Sequence, residues 1–314
     1  MVKRLKIVIA TGIVVCTSLW IIKHSDIILF TGTEVKGSTN YARDRDQEIL
    51  LNNVGMKKNN INSFWNSFDF SNNNYLNNLA LLKQPTLTFL QLLEQFPEES
   101  EVALGLLMDK VLEADSIIIQ YMVDELFEKY LYRPDSPIRN DGNYLSILEQ
   151  LIKSRRISDL NKTRFIYQQQ LIRQNQVGSI ANNFDFNTID NQRGELMNIN
   201  AEYLILFFNN PECSSCKDIT SILNGSNLIN EAIDTEKLKI LSIYPENNKD
   251  LWKKTVYPYK WLNGIDLSQI IYKENLYDLR AIPSLYLLNV EKRVLIKDGT
   301  VEEVLHYLQN SIKY

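Results

Sequence analysis

Cys213-Ser-Ser-Cys216 is the place in this sequence where side-chain types and spacing could do chemistry. Two cysteines separated by two residues meet within one helical turn, so they can pass between dithiol and disulfide. The same spacing also supplies half of a zinc site, or arises with no role. Zinc needs four ligands. The only other candidates of the right type are Cys16, His24 and His306, and no second pair or histidine cluster completes a site. No metal and no cofactor are expected.

The elements that must position the pair are readable around it. Tyr203-Leu-Ile-Leu-Phe-Phe208 is an apolar, strand-like run. The stretch after Cys213 reads as a helix, with Cys216, Ile219, Ile222 and Leu223 on one side and Gly225 as its stop. A strand feeding a helix is the context of a redox pair. Cys213 then sits at a helix N-terminus, where unpaired N–H groups favour thiolate. Further along, Ile282-Pro283 comes directly before the apolar run Ser284–Asn289. A proline there either takes the cis bond that fixes a turn or opens a strand in the ordinary trans form.

The 314 residues suffice for two domains with real cores, and the net charge of −4 is mild. No basic stripe interleaved with aromatics appears, so nucleic acid is not an expected partner. Three cysteines exclude a disulfide-stapled scaffold. At the start, Lys3, Arg4 and Lys6 precede an uncharged run from Ile7 to Ile22 that Lys23 ends. This is the pattern of a membrane anchor or a long signal segment, with the basic end in the cytoplasm and the rest of the chain outside. A cleaved export signal stays open, although no small-residue cleavage site stands out. Lipidation at Cys16 also stays open, although Val15 is larger than a lipobox prefers.

Four segments follow: a signal or anchor over 1–24, a linker over 25–60, a helical domain over 61–176 and a mixed α/β domain over 177–314. Residues 56–78 are rich in asparagine but carry Phe64, Trp65, Phe68 and Phe70, which need burial. Apolar spacing then predicts a bundle of four to six helices. One lies between Pro85 and Pro97; another, over 101–114, has Val102, Leu106, Leu107, Val111 and Leu112 near one face. Others run over 116–132, 141–155 and 160–173, with Pro134 and Pro137 in a loop between them. In the last part the reading is a strand pair at 184–199, the strand before the cysteines, the cysteine helix and a strand over 238–244. A helix over 251–261, a hairpin over 284–297 and a final helix opened by a Thr300/Glu303 capping box complete it.

Taken with Gly178-x-x-Ala181-x-x-Phe184, Pro211-Glu-Cys-Ser-Ser-Cys-Lys217 and Ala281-Ile-Pro-Ser284, this order resembles the thioredoxin superfamily. In particular it resembles the TlpA-like, membrane-anchored thiol-disulfide oxidoreductases of the periplasm. The helical part looks like an uncharacterised domain that precedes thioredoxin domains in bacterial envelope proteins. Phe64-Trp-x-x-Phe-Asp-Phe70 and the run from Tyr130 to Arg139 carry that likeness. The expected fold class is a two-domain α+β chain. An N-terminal helical bundle precedes a thioredoxin-like α/β/α domain with a central mixed sheet.

The resemblance implies roles. Cys213 is the exposed nucleophile and Cys216 the buried resolving thiol, together forming the redox-active disulfide. Pro283, in its cis form, faces the pair, and the backbone at Ile282 binds an extended substrate segment. Lys217 and Glu212 modulate the pair. Lys217 holds a position that is often basic in the family. Glu212 stands where thioredoxins usually carry tryptophan. Its carboxylate opposes thiolate at Cys213, and Ser214 and Ser215 add no positive charge, so a reducing pair is expected unless Glu212 only faces solvent.

The function implied is an envelope enzyme of a Gram-negative bacterium, anchored in the inner membrane and facing the periplasm. It exchanges its disulfide with cysteines of exported proteins, as a reductase recharged by a membrane partner. The competing reading is a redox-inert thioredoxin fold whose helical domain binds a partner protein. A peroxide-reducing enzyme fits less well, because no Thr/Pro-x-x-x-Thr/Ser-x-x-Cys pattern leads into Cys213.

Overall fold

The computed structural model describes residues 58–312. The anchor or signal expected over 1–24, and nearly all of the linker expected over 25–60, lie outside the described residues. Among the described residues no helix is long and apolar enough to cross a membrane.

A helical region comes first. It contains α1 (Asn73–Asn77), α2 (Lys83–Gln95), α3 (Ser100–Glu113), α4 (Ser116–Tyr121), α5 (Asp141–Lys153) and α6 (Asp159–Arg173). The segment expected to be one helix over 116–132 changes pitch. After α4 it runs on as a π-helix over Met122–Tyr132, whose wider turns keep Met122, Val123, Leu126, Phe127, Leu131 and Tyr132 all buried. Asn72, Asp115, Asn140 and Ser158 each cap a helix by accepting a backbone N–H, which is why these residue types mark the starts.

Phe64, Trp65, Phe68 and Phe70 are buried against this bundle, as their apolar bulk requires. The face expected for α3 needs correction: Val102 and Leu106 are exposed. Its buried apolar residues are Ala103, Leu104, Leu107, Met108 and Val111. Both sets have helical spacing; the packing of α5 against α3 selects the one built on small Ala103.

The second region is a seven-stranded sheet in the order β2-β1-β5-β4-β3-β6-β7. The strands are β1 (Asp185–Thr188), β2 (Arg193–Glu195), β3 (Tyr203–Phe208), β4 (Leu238–Tyr244), β5 (Leu262–Ile265), β6 (Ser284–Asn289) and β7 (Val294–Ile296). β4 runs parallel to β3 and to β5, and the other pairings are antiparallel, so the sheet is mixed. The helices are α7 (Ser214–Gly225), α8 (Asn227–Asp234), α9 (Lys249–Lys254), α10 (Ile270–Lys273) and α11 (Val301–Ser311).

β3 is apolar throughout because both its faces are covered. Leu204, Leu206 and Phe208 join one core with Leu241, Ile243 and Tyr286. Ile205 and Phe207 join the other, under Leu223 of α7, Ile229 of α8 and Leu308 of α11. Gly194 and Gly264 flank the ring of Phe186: a Cβ on either would come within 2.6 Å of ring carbons, so glycine lets the ring lie flat on the strands.

Three expectations are corrected here. The helix read over 251–261 is the short α9 alone. Pro258 lacks an N–H and restricts Tyr257, so the chain turns away after Thr255. β5 follows at Leu262–Ile265, a strand that the sequence pattern does not mark. On α7, Cys216 and Leu223 are buried as expected, but Ile222 is 46% exposed. It lies beyond the stripe that faces the sheet. The Thr300/Glu303 capping box is present with both of its hydrogen bonds. The described residues belong to one packed unit, so the helical region and the sheet meet directly.

Candidate functional site

The sheet register brings distant residues to one end of β3. Phe208, its last residue, pairs with Ser284, the first residue of β6. The turn that follows β3 and the loop that precedes β6 therefore lie side by side, the first carrying Cys213 and the second Ile282-Pro283. The Ile282–Pro283 peptide is cis.

Both cysteines are free thiols; Cys213 is part-exposed and Cys216 buried. Cys213 is the N-cap of α7, and its Sγ accepts from the backbone N–H of Cys216 at 3.3 Å. On its other side the Cys213 thiol donates to the Ile282 carbonyl oxygen at 3.7 Å. Cys216 lies among Ile205, Phe207 and Leu223 in the core beneath. Burial, and then the neighbouring Cys213 sulfur, push its thiol up to about 12.

Asn210 organises the turn, and sequence reasoning did not single it out. Its backbone N–H donates to Cys216 Sγ at 3.5 Å, and its carbonyl oxygen accepts from the Cys213 N–H at 3.0 Å. Its side-chain oxygen accepts from the Glu212 N–H at 2.9 Å, and its Nδ2 donates to Glu246 at 3.3 Å. Next to it Asn209 is buried and donates to Ser242 Oγ at 2.7 Å, fastening the end of β3 to β4. The available signal was Asn-Asn-Pro after an apolar strand, a turn composition. Nothing local marked Glu246, whose other oxygen accepts from Tyr244 Oη at 3.0 Å.

An open groove of about 380 Å³ passes Cys213, bounded by Glu212, Glu246, Tyr272, Arg280 and Ile282. Of the two residues expected to modulate the pair, Glu212 is exposed at this groove. Lys217 is exposed too, but on the far side, lining a separate cavity of about 360 Å³ behind Cys216 with Tyr257. The structure thus brings Glu212, Cys213, Ile282 and Pro283 together and sets Lys217 apart. Among the described residues no group of three or more His, Cys, Asp or Glu side chains is placed to hold a metal ion.

An accessible thiol, a buried second thiol within reach and a carbonyl beside the first are the parts of a dithiol exchange centre. On this strand order, with helices on both faces, they define a thioredoxin fold. The comparisons agree. A thioredoxin-like protein from Bacteroides caccae is 32% identical, with a TM-score of 0.76; the match covers 82% of this chain and 96% of that one. The chain belongs to this thioredoxin-like family. The C-terminal domain of an uncharacterized protein from Bacteroides fragilis is 44% identical over 43% of this chain and 98% of its own, with a TM-score of 0.42. Residues 60–175 match a domain of unknown function, DUF5106. No curated protein matches the sequence.

The buried thiol sets a pH dependence. Well below its pKa, the thiolate fraction of Cys216 grows about tenfold per pH unit. Closure of a mixed disulfide held on Cys213 should therefore accelerate about tenfold per unit from pH 6 to 9. Stopped-flow release of a labelled thiol would measure it, and a plateau below pH 8 would contradict the burial of Cys216.

Proposed function

We propose that this protein is a thiol-disulfide oxidoreductase of the bacterial cell envelope, acting as a reductase on disulfides of exported proteins. The observation that carries the reading is the pairing of an accessible Cys213 thiol, against the Ile282 carbonyl, with a buried Cys216 directly behind it. The basic-then-apolar N-terminal sequence supports the envelope location and an inner-membrane anchor.

The chemistry has two displacements. The Cys213 thiolate attacks one sulfur of a substrate disulfide, forming a mixed disulfide and releasing the other substrate sulfur as a thiolate that takes up a proton. Cys216 then loses its proton and attacks the Cys213 sulfur. The Cys213–Cys216 disulfide forms and the second substrate thiol departs. Two electrons pass from the protein dithiol to the substrate, so an external dithiol, supplied at the membrane, must reduce the pair again. Beside Cys213, the Ile282 carbonyl is placed to accept a backbone N–H from an extended substrate segment, aligning the scissile sulfur.

The test is reduction of insulin disulfides with dithiothreitol as the recharging dithiol. The full chain is expected to accelerate precipitation of the insulin B chain. A rate equal to dithiothreitol alone would overturn the proposal.

A further inference from the structure

The loop that presents Ile282 to Cys213 is held from the helical region. Arg280, two residues before Ile282, donates through Nη2 to both oxygens of Asp141, at 3.1 and 2.9 Å. Its Nη1 donates to the Tyr132 carbonyl oxygen, and the guanidinium stacks 3.8 Å from the centre of the Tyr132 ring. Its Nε donates to Asp278 Oδ1 at 2.9 Å within the same loop. On the other side of Pro283, Ser284 Oγ donates to Asp298 at 2.6 Å. Asp298 in turn accepts from Arg139 of the helical region at 2.7 Å. Arg139 closes the circuit on Asp141 at 3.3 and 3.1 Å.

The Asp278–Ser284 segment is thus fixed at both ends, and at both ends the fixing group is reached through Asp141 or its partner Arg139. The network is secluded: the Arg280 side chain is 12% exposed and that of Asp278 is 3% exposed. Burial pushes the Asp141 carboxyl up, but the guanidiniums of Arg139 and Arg280 outweigh it and hold it below the usual range, so it is charged at neutral pH.

We infer that the helical region is a positioning element of the redox site, and that Asp141 is the residue through which it acts. Arg280 is anchored through all three of its nitrogens, on Asp141, the Tyr132 carbonyl and Asp278, and a planar guanidinium held at three points tolerates little displacement. With a reach of at most about 3.6 Å per residue, Ile282 cannot move far while the Arg280 backbone is held. Removing the Asp141 charge weakens the tie to the helical region and leaves the guanidinium paired with Asp278, a residue of its own loop, so the Ile282 carbonyl loses its fixed place beside Cys213. An error of about 1 Å at a reacting centre can cost about a hundredfold. An adhesive contact between the two regions would make a different prediction, changing overall stability but not the groove.

The effect on turnover rests on the dithiol-exchange reading, whereas the position of the loop does not. The test therefore has two arms, with Asp141→Asn and Arg280→Gln made singly and together in the full chain. In the first arm, amide hydrogen exchange over residues 278–284 is expected to quicken in each variant. In the second, kcat/KM for a disulfide-bonded peptide is expected to fall about 10- to 100-fold, mainly through KM.

In Asp141→Asn, alkylation of Cys213 by iodoacetamide, a reagent too small to need the groove, should hold within about twofold, and Asp141→Glu should recover part of the peptide rate. The double variant should lose less than the product of the two single losses, since the Asp141–Arg280 contact is shared by both. Unchanged exchange in the loop, peptide and iodoacetamide rates falling together, or fully additive losses would overturn the inference. A wild-type chain that reduces no disulfide would instead sink the dithiol-exchange reading, and the exchange arm would still decide whether Asp141 places the loop.

Discussion

Cys213→Ser is expected to abolish insulin reduction, with a loss on the order of a thousandfold or more in kcat/KM, because no other described thiol is exposed to attack a substrate. Cys216→Ser should fail differently. Cys213 can still attack, but nothing resolves the product, so a mixed disulfide accumulates and appears as a substrate adduct by mass spectrometry. The asymmetry follows from burial, since Cys213 lines the groove and Cys216 lies in the core. Full activity in both single variants would remove the thiols from the mechanism.

The second large effect concerns stability. Trp65 is buried with its ring centre 5.0 Å from Phe64, 4.9 Å from Phe68, 5.5 Å from Phe70 and 5.5 Å from Phe89. Trp65→Ala should cost about 3–5 kcal/mol, combining lost transfer energy with a cavity that its rigid aromatic neighbours cannot refill. Trp65→Phe should cost much less, about 1 kcal/mol, because the indole Nε1 that it removes has no hydrogen-bond partner. Urea unfolding of the two variants checks the contrast. A Trp65→Ala loss below about 1 kcal/mol would contradict the packing described.

These expectations draw on parts of the molecule that were unequally legible from sequence. β3 could be read directly, since a six-residue apolar run that is buried on both faces has no polar residue to obscure it. The final helix could be read from its capping box. β5 could not. Leu262-Asn-Gly-Ile265 is short, carries a turn-like Asn-Gly, and becomes a strand because β1 and β4 supply its partners. The exposed positions Ile222, Val102 and Leu106 show the limit of helical spacing: it gives the period of an apolar stripe but not the neighbour that the stripe faces.

The candidate site divides in the same way. Cys213, Cys216 and Ile282-Pro283 announce themselves by residue type and by the strands beside them. Asn210 and Glu246 do not, since their roles depend on backbone groups and on the β3–β4 pairing that places them together. Arg280 meets Asp141 across 139 positions of sequence, a contact created by the packing of the helical region on the sheet. No local pattern carries that information.

The measurement that bears most directly on the central claim is an equilibrium redox titration of the Cys213–Cys216 pair in dithiol buffers, followed by thiol trapping. The account predicts one reversible two-electron transition in the reducing range, with a midpoint of about −270 mV. A pair that forms no disulfide anywhere between about −350 and −100 mV would contradict it.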